Sequence, residues 1–316
     1  MEAAEPKTLQ EAIQYFSDPT NCLNYLAAKR WPNGVICPTC GSDKVSFLKN
    51  QNRWQCSAHH AKRQFSVKVG TIFEESPLGL DKWLPCVWLV TNCKNGVSSL
   101  EIHRALGVTQ KTAWFMLHRA RLALQGKNGG KLSGEVEVDE TFIGGKARNM
   151  HKDKRARVIT GTGGKDKAIV FGMIERGGEA RAFVVDRRRK KQLQPQIREH
   201  VEVGAAIFSD ELKSYDGLES EYQHAVINHA IEYANGNAHT NTMENFWSLL
   251  KRGLHGTYVS VEPYHLFRYV DEQAFRFNNR KMTDGERFGL AVSQIVGKRV
   301  TFAELTGKSG ETETIN

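Results

Sequence analysis

Hydrophobic residues in the second half of the chain form short β-type runs separated by amphipathic segments. The runs rich in β-branched and aromatic residues predict four strands, at residues 135–143, 169–174, 182–185 and 205–209. Residues 192–201, before the fourth strand, have the spacing of a helix, and a second amphipathic helix begins near residue 243. This pattern predicts an α/β domain with a mixed sheet.

Three strands in succession, a helix, a further strand and a final helix are the layout of an RNase H-like fold. We therefore predict an α/β core of this kind, a mixed five-stranded sheet with flanking helices. The final helix has two distinct faces. Its apolar stripe contains Met243, Phe246, Trp247, Leu250 and Leu254. Its other face contains Glu244, Ser248, Lys251 and His255.

The first half of the chain includes a helical region at residues 80–124. Within it, the segment SSLEIHRALGVTQKTAW at 98–114 has the layout of a helix-turn-helix. Gly107 permits the turn, and Thr109 can cap the second helix. The exposed start of that helix, where recognition helices contact the DNA major groove, then contains Gln110, Lys111 and Thr112. The alternative is a helical hairpin that only packs.

A cysteine pair in the first quarter of the chain has the spacing of a metal-binding knuckle. Cys37 and Cys40 belong to the turn CPTCG, and Cys56 follows with His59 and His60 close behind it. Two such pairs can bind a tetrahedral Zn²⁺ ion. The fourth ligand is His59 if the second pair is Cys-x₂-His, and His60 if it is Cys-x₃-His. A closed Cys₃His set is typical of one structural zinc, because catalysis needs an open coordination position.

Three carboxylates occur at or near the ends of predicted elements. Asp139 lies in the strand-like VEVDE run, Asp210 directly follows the fourth strand, and Glu244 opens the last helix. Brought together, they would provide hard oxygen ligands for two Mg²⁺ or Mn²⁺ ions. Paired ions of this kind can activate a water or a 3′-hydroxyl and stabilise the leaving oxygen of a phosphodiester. The pattern therefore favours an enzyme that cuts or joins nucleic-acid strands.

Each acid also has a structural alternative. Glu137 lies on the same strand face as Asp139, so the strand pattern alone does not choose between them. Asp210 could cap a turn after its strand. Glu244 could belong to a capping box that begins at Asn241. The order of the elements and the basic segment between the acids favour the metal site.

The net charge of +9 on 316 residues is concentrated in one part of the chain. Residues 146–199 contain 16 Lys and Arg against 6 Asp and Glu. The densest run consists of Arg187, Arg188, Arg189, Lys190 and Lys191. Such a run is often a solvated face, but between two candidate catalytic acids it predicts a surface for DNA phosphates. We extend this prediction to Lys251 and Arg252 on the last helix.

Composition is that of a globular protein, with 40% hydrophobic and 25% charged residues. No apolar run approaches the roughly 18 residues of a membrane span, and the polar N-terminus has no signal peptide. The six cysteines fit thiols or metal ligands in a reducing compartment. The predicted domains are a helical N-terminal segment at 1–33, a zinc ribbon at 34–75, a helix-turn-helix region at 76–128, an RNase H-like catalytic domain at 129–300 and a tail at 301–316.

Three acidic motifs together resemble the ISXO-like DDE transposases of bacterial insertion sequences. They are VEVDETFIGGK at 136–146, SDELKSY at 209–215 and HTNTMENFWSLLKRG at 239–253. The ribbon region adds CPTCG at 37–41 and RQFSVKVGTIF at 63–73. By this resemblance the catalytic acids and Mg²⁺ ligands are Asp139, Asp210 and Glu244, so that Asp139 is chosen over Glu137. The resemblance also implies metal-dependent cleavage at transposon ends followed by strand transfer.

The ribbon departs from the family pattern at one position. Many members have Cys-x₂-Cys as the second zinc pair, whereas this chain has a histidine with an extra residue. Counting back from Gln64 and Phe65, the resemblance favours His60 over His59 as the fourth ligand.

We therefore predict a transposase that binds double-stranded DNA, both at terminal inverted repeats and at a target. Synapsis of two ends implies a homo-oligomer, at least a dimer. The alternatives are a junction-cutting nuclease of the same fold that never joins strands, and a domesticated DNA-binding regulator that keeps the ribbon and the helices. We expect the protein in the bacterial cytoplasm, associated with the nucleoid, and no membrane partner.

Overall fold

The computed structural model describes residues 5–126, 129–145, 151–158, 167–227 and 240–307. The ends of the predicted N-terminal segment and of the tail, residues 1–4 and 308–316, lie outside these ranges, as do residues 146–150 and 159–166 of the basic stretch. The chain forms two compact units, Met1–Gly126 with Asn279–Asn316, and Lys127–Asn278. Within the described ranges, none of the helices combines the length and the apolar character that a membrane crossing requires.

The first unit combines helices with a small antiparallel sheet. Its helices are α1 (Leu9–Phe16), α2 (Pro19–Arg30), α3 (Leu80–Asn92), α4 (Ser99–Leu106) and α5 (Gln110–Leu124). The sheet has the order β1 (Val45–Leu48), β2 (Arg53–Cys56) and β3 (Gln64–Phe65). Trp54 on β2 stacks on Phe65 of β3, with 6.1 Å between ring centroids, and this aromatic pair forms part of the ribbon's small core.

Helices α4 and α5 have the capping chemistry that the helix-turn-helix interpretation requires. Ser98 and Glu101 form a capping box at the start of α4. Gly107 ends α4 with a φ of +65°, a left-handed conformation that glycine adopts without steric cost. Thr109 then caps α5 by accepting from the Thr112 backbone N–H at 3.2 Å.

The C-terminal part of the chain returns to the first unit. Helix α10 (Asp284–Ser293), which we grouped with the catalytic domain, packs against α3 and α2. The Phe288 ring on α10 lies 5.0 Å from Trp88 and 5.6 Å from Tyr25. The compact second unit ends at Asn278 rather than at the predicted residue 300 because these aromatic contacts bury α10 elsewhere. A short helix, α11 (Phe302–Leu305), places a ring of the predicted tail 5.8 Å from Phe115.

The second unit contains a mixed five-stranded sheet, which confirms the predicted fold class. Its strands are β4 (Glu135–Ile143), β5 (Ala168–Glu175), β6 (Ala180–Val185), β7 (Ala206–Ser209) and β8 (Gln223–Val226). In the sheet order β6-β5-β4-β7-β8, the first three strands are antiparallel neighbours, whereas β7 and β8 are parallel to β4. The fifth strand, β8, was not located from the sequence.

Helices cover both faces of this sheet. They are α7 (Lys190–His200) on one face and α8 (Asn241–Arg252) with α9 (Leu266–Asn278) on the other. A further helix, α6 (Lys152–Val158), follows β4 in the chain. One core forms beneath α7, where Leu193 and Ile197 pack with Val138 of β4. The other forms beneath α8 and α9, where Phe246 and Trp247 pack with inward-facing residues of β5. The five residues predicted as the apolar stripe of the last helix are all buried in this second core.

Candidate functional site

A crevice opens where strands β4 and β7 part. Their parallel pairing ends at Glu137 opposite Phe208. Beyond that pair, β4 continues to Asp139 and Glu140, while β7 ends and the chain reaches Asp210. The carboxyl ends of neighbouring parallel strands are the usual place for a ligand in an open α/β sheet.

The first and second predicted acids meet in this crevice, together with a third carboxylate. Asp139, Glu140 and Asp210 each offer an oxygen within 4.8 Å of the other two. Three negative groups this close repel one another unless a cation or protons lie between them. Hard oxygen donors in this arrangement fit a divalent cation such as Mg²⁺ or Mn²⁺.

Asp139 is held in place by two hydrogen bonds. The indole Nε1 of Trp247 donates to Oδ2 at 2.9 Å, and the backbone N–H of Glu140 donates to Oδ1 at 2.8 Å. Burial raises the pKa of the Asp139 carboxyl to about 6, although both hydrogen bonds oppose the rise and the neighbouring Asp210 and Glu244 add to it. The side chain is therefore oriented before any ligand arrives.

Glu140 was not assigned a role from the sequence. The phenol of the fully buried Tyr215 donates to its Oε1. Burial raises the pKa of Glu140 to about 7, the tyrosine bond lowers it, and the charges of Asp210 and Asp139 raise it. Strand alternation would send Glu140 to the face opposite Asp139. The available signal was its position next to Asp139 near the end of a strand.

Asp210 lies in a tight turn directly after β7. Its Oδ1 accepts from the backbone N–H of Leu212 at 3.1 Å, the local bond that an aspartate makes when it stabilises a turn. The turn bond and a role as metal ligand are thus compatible, because the same carboxylate offers an oxygen within 4.8 Å of those offered by Asp139 and Glu140.

Glu244 lies on the exposed face of α8 and lines the same cavity as Asp139 and Glu140. It is not part of the close group of three carboxylates. The cavity wall continues along the helix through Ser248, Lys251, Arg252 and His255. The face of α8 that was predicted to combine an acid, Glu244, with basic residues therefore borders the crevice.

The capping box considered for Glu244 is absent from α8. The helix begins at Asn241, and its N-cap residue, Thr240, makes no capping bond through its side chain. The first turn of α8 is instead capped by the side chain of Glu137, which is completely buried. Its Oε2 accepts from the backbone N–H groups of Thr242 and Met243 at 2.9 and 3.0 Å.

A glycine opposite Asp139 lets α8 approach the sheet closely. Gly172 of β5 pairs with Asp139 across the strands. A Cβ atom on Gly172 would lie 2.6 Å from Met243 Cε and 2.7 Å from Trp247 Cη2, closer than real Cβ atoms come. The missing side chain therefore makes room for the indole that donates to Asp139.

The basic run between the acids is exposed, and two of its members make local contacts. The Arg188 guanidinium lies 4.7 Å from the centre of the Phe142 ring on β4, near the crevice. Lys190 donates to the Asp216 carbonyl at 2.6 Å. The remaining members, Arg187, Arg189 and Lys191, are exposed at the start of α7.

The cysteine knuckle of the first unit forms a four-residue cluster. The ligand atoms of Cys37, Cys40, Cys56 and His60 all lie within 4.8 Å of one another. Cys37 Sγ is 3.5 Å from His60 Nε2, and Cys40 Sγ is 3.6 Å from Cys56 Sγ. Bonds of about 2.3 Å to a tetrahedral ion require similar spacings between ligand atoms. The exposed His59 is not part of this cluster.

The surroundings of Cys37 suit a bound zinc ion. Burial opposes ionisation of its thiol, but hydrogen bonds from the Cys40 and Thr39 backbone contribute to a pKa lowered to about 6. The thiolate is the form that binds zinc. Gly41, with a φ of +74°, closes the turn by donating from its N–H to the Cys37 carbonyl at 2.8 Å.

The predicted recognition residues lie at the start of α5. Gln110 and Lys111 are exposed, whereas Thr112 is partly buried and shares a hydrogen bond with the capping hydroxyl of Thr109. The Lys111 ammonium lies 4.6 Å from the centre of the Phe302 ring on α11. Gln110 and Lys111 are therefore more exposed to solvent than Thr112 at the start of this helix.

Two regions of the chain match models of known protein families. Residues 131–278 match the family model of the ISXO2-like transposase domain, and residues 18–61 match that of the transposase zinc-ribbon domain. The chain therefore belongs to the ISXO2-like DDE transposases, and its N-terminal cysteine cluster belongs to a transposase zinc ribbon. This confirms the family resemblance found in the motifs.

Individual relatives agree with this family. The chain is 28% identical over 255 residues to a protein in transposable element ISH50 of Halobacterium salinarum, covering 77% of this chain and 85% of that protein. It is 34% identical over 100 residues to a transposase-like protein of Haemophilus influenzae, covering 31% of this chain and 80% of that protein. Among solved structures, the chain matches one from a simian T-cell lymphotropic virus intasome in complex with PP2A regulatory subunit B56 gamma. The match has 14% identity and covers 55% of this chain and 63% of the other chain, and its TM-score of 0.27 is too low to support a shared fold.

Proposed function

We propose that this transposase binds the ends of an insertion sequence and catalyses divalent-metal-dependent cleavage and strand transfer. The observation that carries the proposal is the meeting of Asp139, Asp210 and Glu140 in the crevice, with Glu244 on the wall of the same cavity. Membership of the DDE transposases gives these acids their expected role. Asp139, Asp210 and Glu244 would hold two Mg²⁺ or Mn²⁺ ions.

Divalent ions bound there would activate the attacking water or 3′-hydroxyl and stabilise the leaving oxygen of the phosphodiester. The protein's own contribution is to hold the ligands in position before DNA arrives. Asp139 is fixed by Trp247, and Glu140 is fixed by Tyr215. Carboxylates oriented in this way need little rearrangement on binding, which is the main benefit of a preorganised site.

Basic residues beside the acids would bind the DNA backbone. Lys251, Arg252 and His255 line the cavity with Glu244, about two to three helical turns further along α8 and the helical segment Gly253–Tyr258 that continues it. Arg188 approaches from the other side of β4 through its contact with Phe142. Phosphate contacts of this type position a duplex without reading its sequence.

Sequence recognition would come from the first unit. Gln110, Lys111 and Thr112 start the second helix of the helix-turn-helix, where side chains of such motifs reach base edges in the major groove. Zinc held by Cys37, Cys40, Cys56 and His60 would stabilise the ribbon. Joining two DNA ends requires at least two copies of the chain, and we expect the assembly to act on DNA in the bacterial nucleoid.

The test is to incubate the protein with labelled insertion-end DNA and Mg²⁺ and to separate the products by size. A transposase gives cleaved ends and also longer products joined to target DNA. Asp139→Asn should remove both products while retaining binding, whereas Asp186→Asn, an exposed aspartate outside the site, should retain them. Cleavage without joining would indicate a junction nuclease, and binding without cleavage would indicate a regulator.

A further inference from the structure

We propose that Glu137 is a positioning residue that fixes Glu244 relative to Asp139. The inference rests on the proposed function, because it assigns Glu137 a role in building the same metal site. Glu137 lies two residues before Asp139 on the same face of β4. Through α8 it also contacts the two residues that precede Glu244.

Each oxygen of the Glu137 carboxylate accepts at least two hydrogen bonds. Oε2 accepts from the backbone N–H groups of Thr242 and Met243. Oε1 accepts from the Thr242 hydroxyl at 3.1 Å and from Arg176 Nε at 2.9 Å. All four donors point to one carboxylate that is completely buried. With its oxygens occupied in this way, Glu137 serves the helix rather than the metal cavity.

The contact replaces the missing local cap of α8. The first N–H groups of a helix have no partner within the helix, and a side chain at the N-cap usually accepts from the second or third of them. Thr242 and Met243 are the second and third residues of α8, and Thr240 makes no such bond. Glu137 supplies the acceptor from more than a hundred residues away, and its charge is favourable at the positive end of the helix dipole.

Two attachments therefore join α8 to β4 within a few residues of the proposed ligands. Glu137 holds the start of the helix, and Trp247 donates to Asp139 one turn later. A rigid helix fixed at both points cannot tilt without breaking one of them. The distance from Asp139 to the exposed side chain of Glu244 is thus set by the Glu137 contact.

Arg176 offers a way to separate this role from general stability. It pairs with Glu137 through Nε and with Glu135 through a terminal nitrogen at 2.8 Å. Glu135 accepts from Arg176 Nη1, whereas the N–H groups of Thr242 and Met243 donate to Glu137, so Glu135→Gln weakens the same arginine network and leaves the cap in place. Val138→Ala is the second control, because Val138 is buried in the core on the other face of β4.

The experiment measures Mn²⁺ affinity by electron paramagnetic resonance, together with amide exchange of Thr242 and Met243. Glu137→Ala should expose both amides and weaken Mn²⁺ binding by about tenfold or more, the usual effect of losing an outer partner of a metal site. Glu137→Gln should give an intermediate loss, because its amide oxygen can still accept from the helix while its NH₂ opposes Arg176. Glu135→Gln and Val138→Ala should bind Mn²⁺ within about twofold of the wild type, far less than an outer partner costs.

The outcomes separate the two proposals. The proposed function fails if the wild-type protein does not bind Mn²⁺, or if Asp139→Asn leaves the Mn²⁺ affinity unchanged. If it does bind, and Glu137→Gln and Glu137→Ala match the two controls, Glu137 has no positioning role. If Glu137→Ala does not fold, the Mn²⁺ affinities of Glu137→Gln and Thr242→Val decide whether Glu137 has a positioning role. Thr242→Val removes only the hydroxyl bond to Glu137.

Discussion

At the scale of single residues, the candidate site depends on neighbours that the motifs do not single out. Asp139 and Asp210 stand in sequence patterns that predict their importance. Glu140 does not, because its contact with Tyr215 joins positions 75 residues apart. The same is true of Glu137, whose partners on α8 follow it by 105 and 106 residues. Short-range periodicity contains no information about such pairs.

The raised pKa values of Asp139 and Glu140 predict how metal-free protein responds to pH. Their pKa values rise from 3.8 to about 6 and from 4.5 to about 7, so the folded state holds these protons more tightly than the unfolded state. The stability that results is present at low pH and is lost as pH rises through about 6 to 7. We expect Mn²⁺ to raise the melting temperature more at pH 8 than at pH 5.5, because protons no longer compete.

Calorimetry with and without Mn²⁺ at both pH values measures these melting temperatures. The control is Glu140→Gln, which removes the titration of Glu140 and leaves that of Asp139. An equal gain in melting temperature at both pH values would contradict the assignment of these carboxylates to a metal site.

At the scale of elements, the long β4 strand and the α8 helix were predictable because their apolar positions repeat with the right periods. The zinc knuckle was predictable from spacing, although the spacing alone left two histidines open. The family resemblance favoured His60, and in the folded hairpin the ligand atoms of His60 lie with those of the three cysteines. Strand β8 was missed because its four residues, QHAV, are too few to show an alternation. The end of the second unit was missed because α10 packs through contacts distant in sequence.

Close packing between α8 and β5 gives a prediction at this scale. Gly172→Ala would place a methyl group against Met243 and Trp247, and overpacking of this kind typically costs about 1–3 kcal/mol. Displacing Trp247 also weakens its bond to Asp139, so cleavage should fall together with stability. Denaturant unfolding and cleavage rates measure both effects. Gly177→Ala, at a turn with open space around its Cβ position, is the comparison that leaves α8 untouched, although its φ of +76° adds some strain.

The zinc ribbon gives a second prediction for an element. Elemental analysis should find one Zn²⁺ per chain, and His60→Ala should lose more of it than His59→Ala, because only His60 joins the three cysteines. Cys37→Ser should unfold the ribbon and leave the secondary structure of the rest largely intact, as seen by circular dichroism. Greater zinc loss from His59→Ala would restore the Cys-x₂-His spacing.

At the scale of the whole molecule, the sequence predicts both a concentration of positive charge and a DNA surface, but not how near that charge lies to the acids. The chain has a net charge of +9, and the exposed run from Arg187 to Lys191 lies near the crevice through Arg188. By itself a run of like charges is often a solvated face, and the prediction of a DNA surface comes from its place in the sequence between two candidate acids. Its proximity to the acids, which supports a role in DNA binding, is a property of the fold.

Salt dependence of DNA affinity tests that role. Each phosphate contact contributes a slope of about −0.9 to log K against log salt, so replacing Arg187, Arg188 and Arg189 with alanine should reduce the slope by roughly three. The loss should be similar for all DNA sequences. Arg198→Ala, whose charge is already paired with Glu221 at 2.8 Å, should leave the slope unchanged. A triple variant with the wild-type slope would assign the run to an ordinary solvated face.

Glu244→Gln is the decisive variant for the proposal that Glu244 completes a catalytic metal site with Asp139 and Asp210. Glutamine retains the size and helix propensity of the side chain, and Glu244 makes no capping bond that stability requires, so folding and end binding should persist. Loss of an anionic metal ligand should slow cleavage of insertion-end DNA in Mg²⁺ by about 10³-fold or more. Cleavage within about tenfold of the wild type, a barrier change of only about 1.4 kcal/mol, would show that Glu244 is not a ligand of the catalytic metal.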